Sequence, residues 1–331
     1  MKSTGRAAGI DSILSPVAAA MGRVDSRLTS LSFPEQGTTL GAVLKFSLAH
    51  AGKRLRPALV LLTAGAYGRS SEAVIDLAAA TECLHSATLI HDDIVDGAGS
   101  RRGKPAVHVM WSYPAAVLSG DFLFGVAADL VASIGRPILV RMFADTIMEM
   151  CRSEFGGPEL GESPDGMLDA YLRKIRGKTA CLFALCSEAA AELADAGEEA
   201  RALARDYGLN LGMAFQIADD ILDVKGDEAA TGKPVGNDLR QRVLTLPAIR
   251  FLLEHAADGG AVSAVMEEDD PDQDSVHAAL VELRSSGAVE RAFEDAASFA
   301  DKARECARSM PANACSTALE DLTHYVLDRP S

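Results

Sequence analysis

The sequence predicts an all-α fold, a single bundle of ten or more helices. Three observations lead there. Apolar residues recur at helical spacing along most of the 331 positions, and no stretch shows the period-two alternation of a half-buried strand. Proline and glycine punctuate the runs: Gly52 stops one, Pro57 opens the next, and Gly135 and Pro137 break a later one. No segment recurs at a fixed period, so a solenoid is not expected.

In chain order, residues 1–36 read as a weakly patterned lead-in, with a short helix over 13–31 interrupted by Pro16; residues 37–331 read as the main domain. Helix 41–51 ends at Gly52, and Pro57 occupies a first-turn position that tolerates its missing N–H. Ser71 is a candidate N-cap for the long helix that follows. Residues 113–134 are almost entirely apolar and invite a membrane reading. Asp121 and Asp129 fall near their middle, each worth about 2.5–3.5 kcal/mol against insertion, so a helix buried in a soluble protein, partly against a second subunit, is expected instead. Helix 138–155, loop 156–164, helices 167–194 and 198–224, loop 225–237 and helix 246–255 come next. The acidic run 266–274 reads as solvated surface, and the C-terminal third as alanine-rich amphipathic helix.

Apolar residues at 48% and charged residues at 24% describe a soluble globular chain. The net charge of −15 argues against nucleic acid or an anionic membrane as partner. Six cysteines (Cys83, Cys151, Cys181, Cys186, Cys306 and Cys315) contain no CxxC pair; free thiols in apolar helices fit a reducing cytoplasm without disulfides. The N-terminus has no apolar core of a secretory signal.

The chemistry concentrates at 84–104, LHSATLIHDDIVDGAGSRRGK. His85, Thr88, Asp92 and Asp96 step by three, four and four, which places them in one polar stripe on an apolar helix. Carboxylates at a helix C-terminus oppose the macrodipole, so stability does not explain them. Two carboxylates one turn apart, facing a basic loop, suit a Mg²⁺ ion shared with a phosphate. The design recurs in FQIADDILD, where Gln216, Asp219, Asp220 and Asp223 sit on a second apolar helix. Two such helix ends point to a site between facing helices. Basic elements accompany them: Lys53, Arg54 and Arg56 in GKRLRP at a helix start, Arg101 and Arg102, Lys178 with Thr179 in GKT, and Lys233 in TGKPVGND. Helix N-termini and arginine forks suit phosphate oxygens. Together the acidic pairs and basic elements make a site for two diphosphates, one held through metal and one by direct cations.

GKRLRP, HDDIVD followed by SRRGKP, GKT, and FQIADDILD followed by GKPVGND resemble, in order, the motifs of trans-isoprenyl diphosphate synthases, the polyprenyl synthetase family. The likeness runs from about residue 40 to the C-terminus. It implies the isoprenoid synthase fold, with a central active-site cavity, and a Mg²⁺-dependent prenyltransferase. Such an enzyme condenses isopentenyl diphosphate with an allylic diphosphate into a linear all-trans product, and a homodimer is expected. By resemblance, Asp92, Asp96 and Asp219 bind Mg²⁺, joined by Asp223, with the catalytic Asp93 and Asp220 close around. Lys53, Arg56, His85 and Arg102 would hold isopentenyl diphosphate; Arg101, Lys178, Thr179, Gln216 and Lys233 would hold the allylic diphosphate. Lys178, Thr179 and Gln216 would also stabilise the allylic cation, above an apolar cavity supplied by Leu84, Leu89 and Ile217.

The chain departs from the family twice. Arg242 and Val243 stand where Gly-Lys is frequent, leaving either a missing contact or Arg242 as a substitute. SEFGG leaves Glu154 without the glutamine that often follows. Product length is expected to be set on the helix before Asp92: Ala87 and Thr88 are small, with Leu84 a turn further down. The expected product is longer than C20, within C30 to C50. The alternatives are a short-chain farnesyl or geranylgeranyl diphosphate synthase, a terpene cyclase, and a regulatory subunit of a heteromeric synthase. A cyclase has no use for GKRLRP and lines its pocket with aromatics, here 5% of residues. A regulatory subunit would have lost its aspartates.

Overall fold

The structure, a computed structural model, describes residues 9–31, 37–49, 52–101, 103–226, 235–255 and 260–328. These residues are helical almost throughout. The exception is an antiparallel pair of two-residue strands, β1 (Ser100–Arg101) and β2 (Lys104–Pro105), in which Arg101 faces Lys104. No strand was expected, because two residues are too short to show an alternation.

The lead-in folds onto the bundle. Helix α1 (Ile10–Ile13), a 3₁₀ turn that accommodates Pro16, and α2 (Ala18–Leu31) bring Val24 and Leu28 into the core. Arg27 pairs with Asp76 at 2.8 Å, and Arg23 with Glu72. Helix α3 (Thr39–Ala49) leads to α4 (Leu55–Ala66). Before α4, Arg54 adopts a left-handed backbone (φ 46°). It is held there by Asp25 at 2.6 Å, the Leu48 carbonyl at 2.9 Å and buried Glu82 at 3.3 Å.

Helix α5 (Glu72–Val95) runs through the middle and packs on α2, α4 and α7. Ser71 occupies its N-cap position but makes no capping bond; its hydroxyl is buried and has no partner among the described residues. Glu72 in the first turn complements the dipole instead. Helices α6 (Val107–Met110) and α7 (Tyr113–Ser133) follow, α7 capped by Ser112, which accepts from the Ala115 N–H. Both α5 and α7 are apolar and long enough to cross a membrane, but α5 is mostly buried in the bundle. Only part of α7 is covered: Tyr113, Val117 and Leu118 are exposed.

Helix α8 (Pro137–Glu154) precedes α9 (Pro164–Ile175) and α10 (Cys181–Leu193). The expected continuous helix 167–194 is interrupted by a π-turn over Arg176–Ala180, which has no period signature in sequence. Such turns inside helices are frequent at functional sites. Helix α11 (Glu198–Lys225) lies flush against α10. A Cβ at Gly212 would sit 2.6 Å from the Ala180 Cα, and one at Gly208 would run into the Phe183 carbonyl. Positions 208, 212, 216 and 220 step by four, so the glycines that permit backbone contact share a stripe with Gln216 and Asp220.

The remainder, α12 (Asn237–Arg240), α13 (Leu246–Glu254), α14 (Gly260–Glu267), α15 (Gln273–Ser285), α16 (Ala288–Ser309) and α17 (Ala314–Tyr325), completes the bundle. Along α16, Ala288, Ala292, Ala296, Ala300, Ala303 and Ala307 are buried, and small side chains let it lie close along α11. One apolar core surrounds α5, and a second lies beneath α9, α11 and α13–α16.

The seam predicts an asymmetry between two helical glycines. Gly208→Ala should destabilise by about 1–3 kcal/mol, the usual range for overpacking. Gly22→Ala in α2, with open space around it, should be neutral or stabilising by up to about 1 kcal/mol. Thermal melts of the two variants check this, and equal melting temperatures would contradict the backbone contact.

Candidate active site

The C-terminal ends of α5 and α11 face each other across a cavity of about 270 Å³. Asp92 and Asp96 line it from α5, Gln216 and Asp219 from α11, Lys178 and Thr179 from the π-turn, and Arg56 from the first turn of α4. His85, Thr88 and Arg101 complete the polar wall, while Leu89, Met150, Leu182 and Phe215 supply the apolar one. Eleven residues singled out in the sequence thus converge on one space. The i,i+4 stripe explains why on α5: His85, Thr88, Asp92 and Asp96 leave the helix on one side.

The charges are strained by burial. It pushes the Asp92 carboxyl up to about 6; Lys178 pulls it down, while Glu154 and Asp96 add repulsion. At Lys178, burial opposes the charge, but Asp92, Asp96 and Glu154 outweigh it and its pKa is raised. Glu154 bonds Lys178 directly at 3.0 Å. Arg56 donates to His85 Nε2 at 2.9 Å and stacks over the Phe183 ring at 4.9 Å, so its fork is oriented from two sides.

The other aspartates are engaged elsewhere. Buried Asp93 accepts from Arg101 Nε at 2.6 Å, which steadies that arginine at the cavity edge. Buried Asp220 accepts from the Tyr171 hydroxyl at 2.6 Å and from Gln216 Nε2 at 2.8 Å; burial pushes it up to about 7. Both oxygens of Asp223 accept backbone N–H groups, from Asn237 at 3.2 Å and Asp238 at 3.0 Å, and so fasten the start of α12. Asp238 is itself pushed up to about 8 by burial, with Asp223 the largest source of repulsion.

Several sequence expectations lie apart from the cavity. Lys53 sits over the Tyr325 ring at 5.2 Å and lines a surface recess with Asp11 and Asp25. Arg242 reaches away, to the Glu268 carbonyl at 3.2 Å and Asp269 at 3.6 Å, so it does not stand in for the missing lysine. Leu84 and Ala87 are fully buried, and Ile217 packs into the neighbouring core beneath α11 instead of lining the cavity. Arg102 and Lys233 lie outside the described residues. A second cavity of about 220 Å³ opens along α5 and shares His85, Leu89 and Arg101 with the first.

The donor chemistry suits a divalent cation, although among the described residues the carboxylates do not close into a three-ligand cluster. Asp92, Asp96 and Asp219 offer hard carboxylate oxygens from two helices to one space, the ligand type that Mg²⁺ and Ca²⁺ take. A cation between them would offset the repulsion at Asp92.

Sequence reasoning missed Tyr171, the pairing role of Glu154, and Asp238. Tyr171 precedes Lys178 by seven residues, two helical turns, and that spacing was a usable signal. Glu154 was noticed only as a departure. Asp238 lies fifteen residues beyond Asp223, with no periodicity to connect them.

Comparison with known proteins identifies the family. The chain matches the family described as polyprenyl synthetase over residues 38–283. It is 36% identical over 287 residues to heptaprenyl diphosphate synthase component 2 of Geobacillus stearothermophilus, covering 87% of this chain and 89% of that one. It is 34% identical to a short chain isoprenyl diphosphate synthase of Methanothermobacter thermautotrophicus, covering 84% and 86%. Among solved structures, a polyprenyl synthase from Caulobacter crescentus, complexed with calcium and isoprenyl diphosphate, superposes with a TM-score of 0.88 at 33% identity, covering 99% of this chain and 100% of that one. The chain belongs to the polyprenyl synthetase family.

Proposed function

We propose that the protein condenses isopentenyl diphosphate with an allylic diphosphate to give a linear all-trans polyprenyl diphosphate longer than C20, with Mg²⁺ as cofactor. The observation that carries this is the convergence of Asp92, Asp96 and Asp219 with Arg56, Arg101 and Lys178 on one cavity with an apolar wall. A bound divalent cation supplies charge stabilisation to the departing diphosphate. Lys178 and Arg101 bind phosphate oxygens directly, while Arg56 and His85 bind on the side of the second substrate. Thr179 and Gln216 direct dipoles at the developing allylic cation. Leu89, Met150, Leu182 and Phe215 keep water from it.

The tail is proposed to pass Thr88, which lines the cavity one turn before Asp92. Its small side chain leaves the way down α5 open. The half-exposed apolar face of α7, with Tyr113, Val117 and Leu118, supports a homodimer. The heptaprenyl relative is named as a component, so a mass measurement of the purified protein must distinguish one chain from two.

Product analysis by mass spectrometry tests the reading: purified protein with isopentenyl diphosphate, an allylic primer and Mg²⁺ should yield linear products beyond C20. Cyclic hydrocarbons, or no condensation, would refute it. Thr88→Phe should shorten the distribution by one or more isoprene units. Ala87→Phe is the harsher variant, because Ala87 is fully buried and overpacking costs about 1–3 kcal/mol. An unchanged distribution in folded Thr88→Phe would place the tail elsewhere.

Asp92→Asn should lower turnover by about two orders of magnitude or more without loss of stability. The pH dependence fixes the sign. The folded carboxyl titrates at about 6 against an ordinary 3.8, so the native state binds the extra proton between those values. The penalty on its charge therefore grows from pH 4 to pH 6 and is full above. In chelator, the melting temperature of Asp92→Asn relative to wild type should be higher at pH 8 than at pH 4; the opposite trend would contradict the burial argument.

A further inference from the structure

We infer that Tyr171 is a positioning residue for the cation-facing pair Gln216 and Thr179, acting through Asp220. The inference rests on the prenyltransferase reading above. Four groups form one chain of hydrogen bonds: the Tyr171 hydroxyl donates to Asp220 Oδ2 at 2.6 Å, Gln216 Nε2 donates to Asp220 Oδ1 at 2.8 Å, and Thr179 Oγ1 donates to Gln216 Oε1 at 2.7 Å. Tyr171 is 2% exposed and Asp220 5%, whereas Gln216 and Thr179 line the cavity. Tyr171 itself does not line it. The chain thus runs from the core to the cavity wall.

Its direction follows from donor chemistry. Both oxygens of Asp220 accept here, one from Tyr171 and one from Gln216, so Gln216 presents its NH₂ group inward. The Gln216 carbonyl then turns toward Thr179 and takes its hydroxyl proton. The oxygen lone pairs of Thr179 are left on the cavity side, where an allylic cation develops. With the amide reversed, a positive NH₂ edge would face that cation. Tyr171 fixes the orientation because it holds one carboxylate oxygen and leaves the other for Gln216 alone. Preorganised dipoles of the right sign are where such sites gain most. The geometry comes from the helices: α9 carries Tyr171, the π-turn carries Thr179, and the glycine seam brings α11 close enough for the two bonds that leave it, while Gln216 and Asp220 meet one turn apart on α11 itself.

The test is a double-mutant cycle read in the single-turnover rate of the first condensation, with radiolabelled substrate so that slow variants remain countable. Tyr171→Phe keeps the ring and removes only the donor. It should lower that rate by roughly tenfold or more while the KM values of both substrates change less than threefold. In a Gln216→Met background the same substitution should change the rate by less than twofold, because its route to the cation is already cut. Asp220→Asn, nearly isosteric, serves as a second route if Tyr171→Phe folds poorly, with the same expected split. A wild-type rate in folded Tyr171→Phe would overturn the inference. So would an equal fold-loss in both backgrounds, which is the signature of a merely structural tyrosine. A wild-type protein that forms no condensation product would instead overturn the functional reading itself, and the relay with it.

Discussion

The architecture of the site depends on one close contact, the approach of α11 to α10 at Gly208 and Gly212. Without side chains there, the two backbones touch, and the next two positions of the same stripe, Gln216 and Asp220, are carried against the π-turn and α9. Any β-carbon at those glycines would lift α11, and with it Asp219, away from the opposite wall. The alanine stripe of α16 performs the matching task on the other side of α11. Packing of small residues along both sides of α11 thus fixes a separation between carboxylates that no residue in the cavity could hold by itself.

What the packing brings together, electrostatics resists. Burial penalises the charge on Asp92, Asp220 and Asp238 and pushes all three carboxyls upward. The protein answers in two ways. Aspartates not lining the cavity are given hydrogen-bond donors: Arg101 for Asp93, Tyr171 and Gln216 for Asp220, backbone N–H groups for Asp223. Of those that line it, Asp92 and Asp96 have Lys178 across the cavity, and Lys178 is shared with Glu154. A site that keeps such repulsion is suited to a ligand that brings positive charge with it.

Much of this was legible in the sequence, because the decisive signals were local and periodic. The polar stripe of His85, Thr88, Asp92 and Asp96 needed only the helical repeat, and its recurrence at 216–223 announced a second wall. The same stretch misled at finer grain. Asp92 and Asp93 are adjacent and chemically identical, yet one lines the cavity while the other is buried against Arg101, a difference set by helix rotation. The π-turn was hidden because an inserted residue shifts a helix without altering its composition. Arg242 looked like a substitute for lysine, but its left-handed backbone (φ 56°) and the acidic run near Asp269 draw it outward. Ile217 failed as a cavity residue because it leaves α11 about 100° round from Gln216 and packs into the second core.

The central claim is that carboxylates from two helices hold a diphosphate through a divalent cation. Calorimetric titration with an unreactive allylic diphosphate analogue measures this directly. The account predicts tight binding in Mg²⁺, weakened at least tenfold both in chelator and in Asp92→Asn. Equal affinity with and without the cation would contradict it.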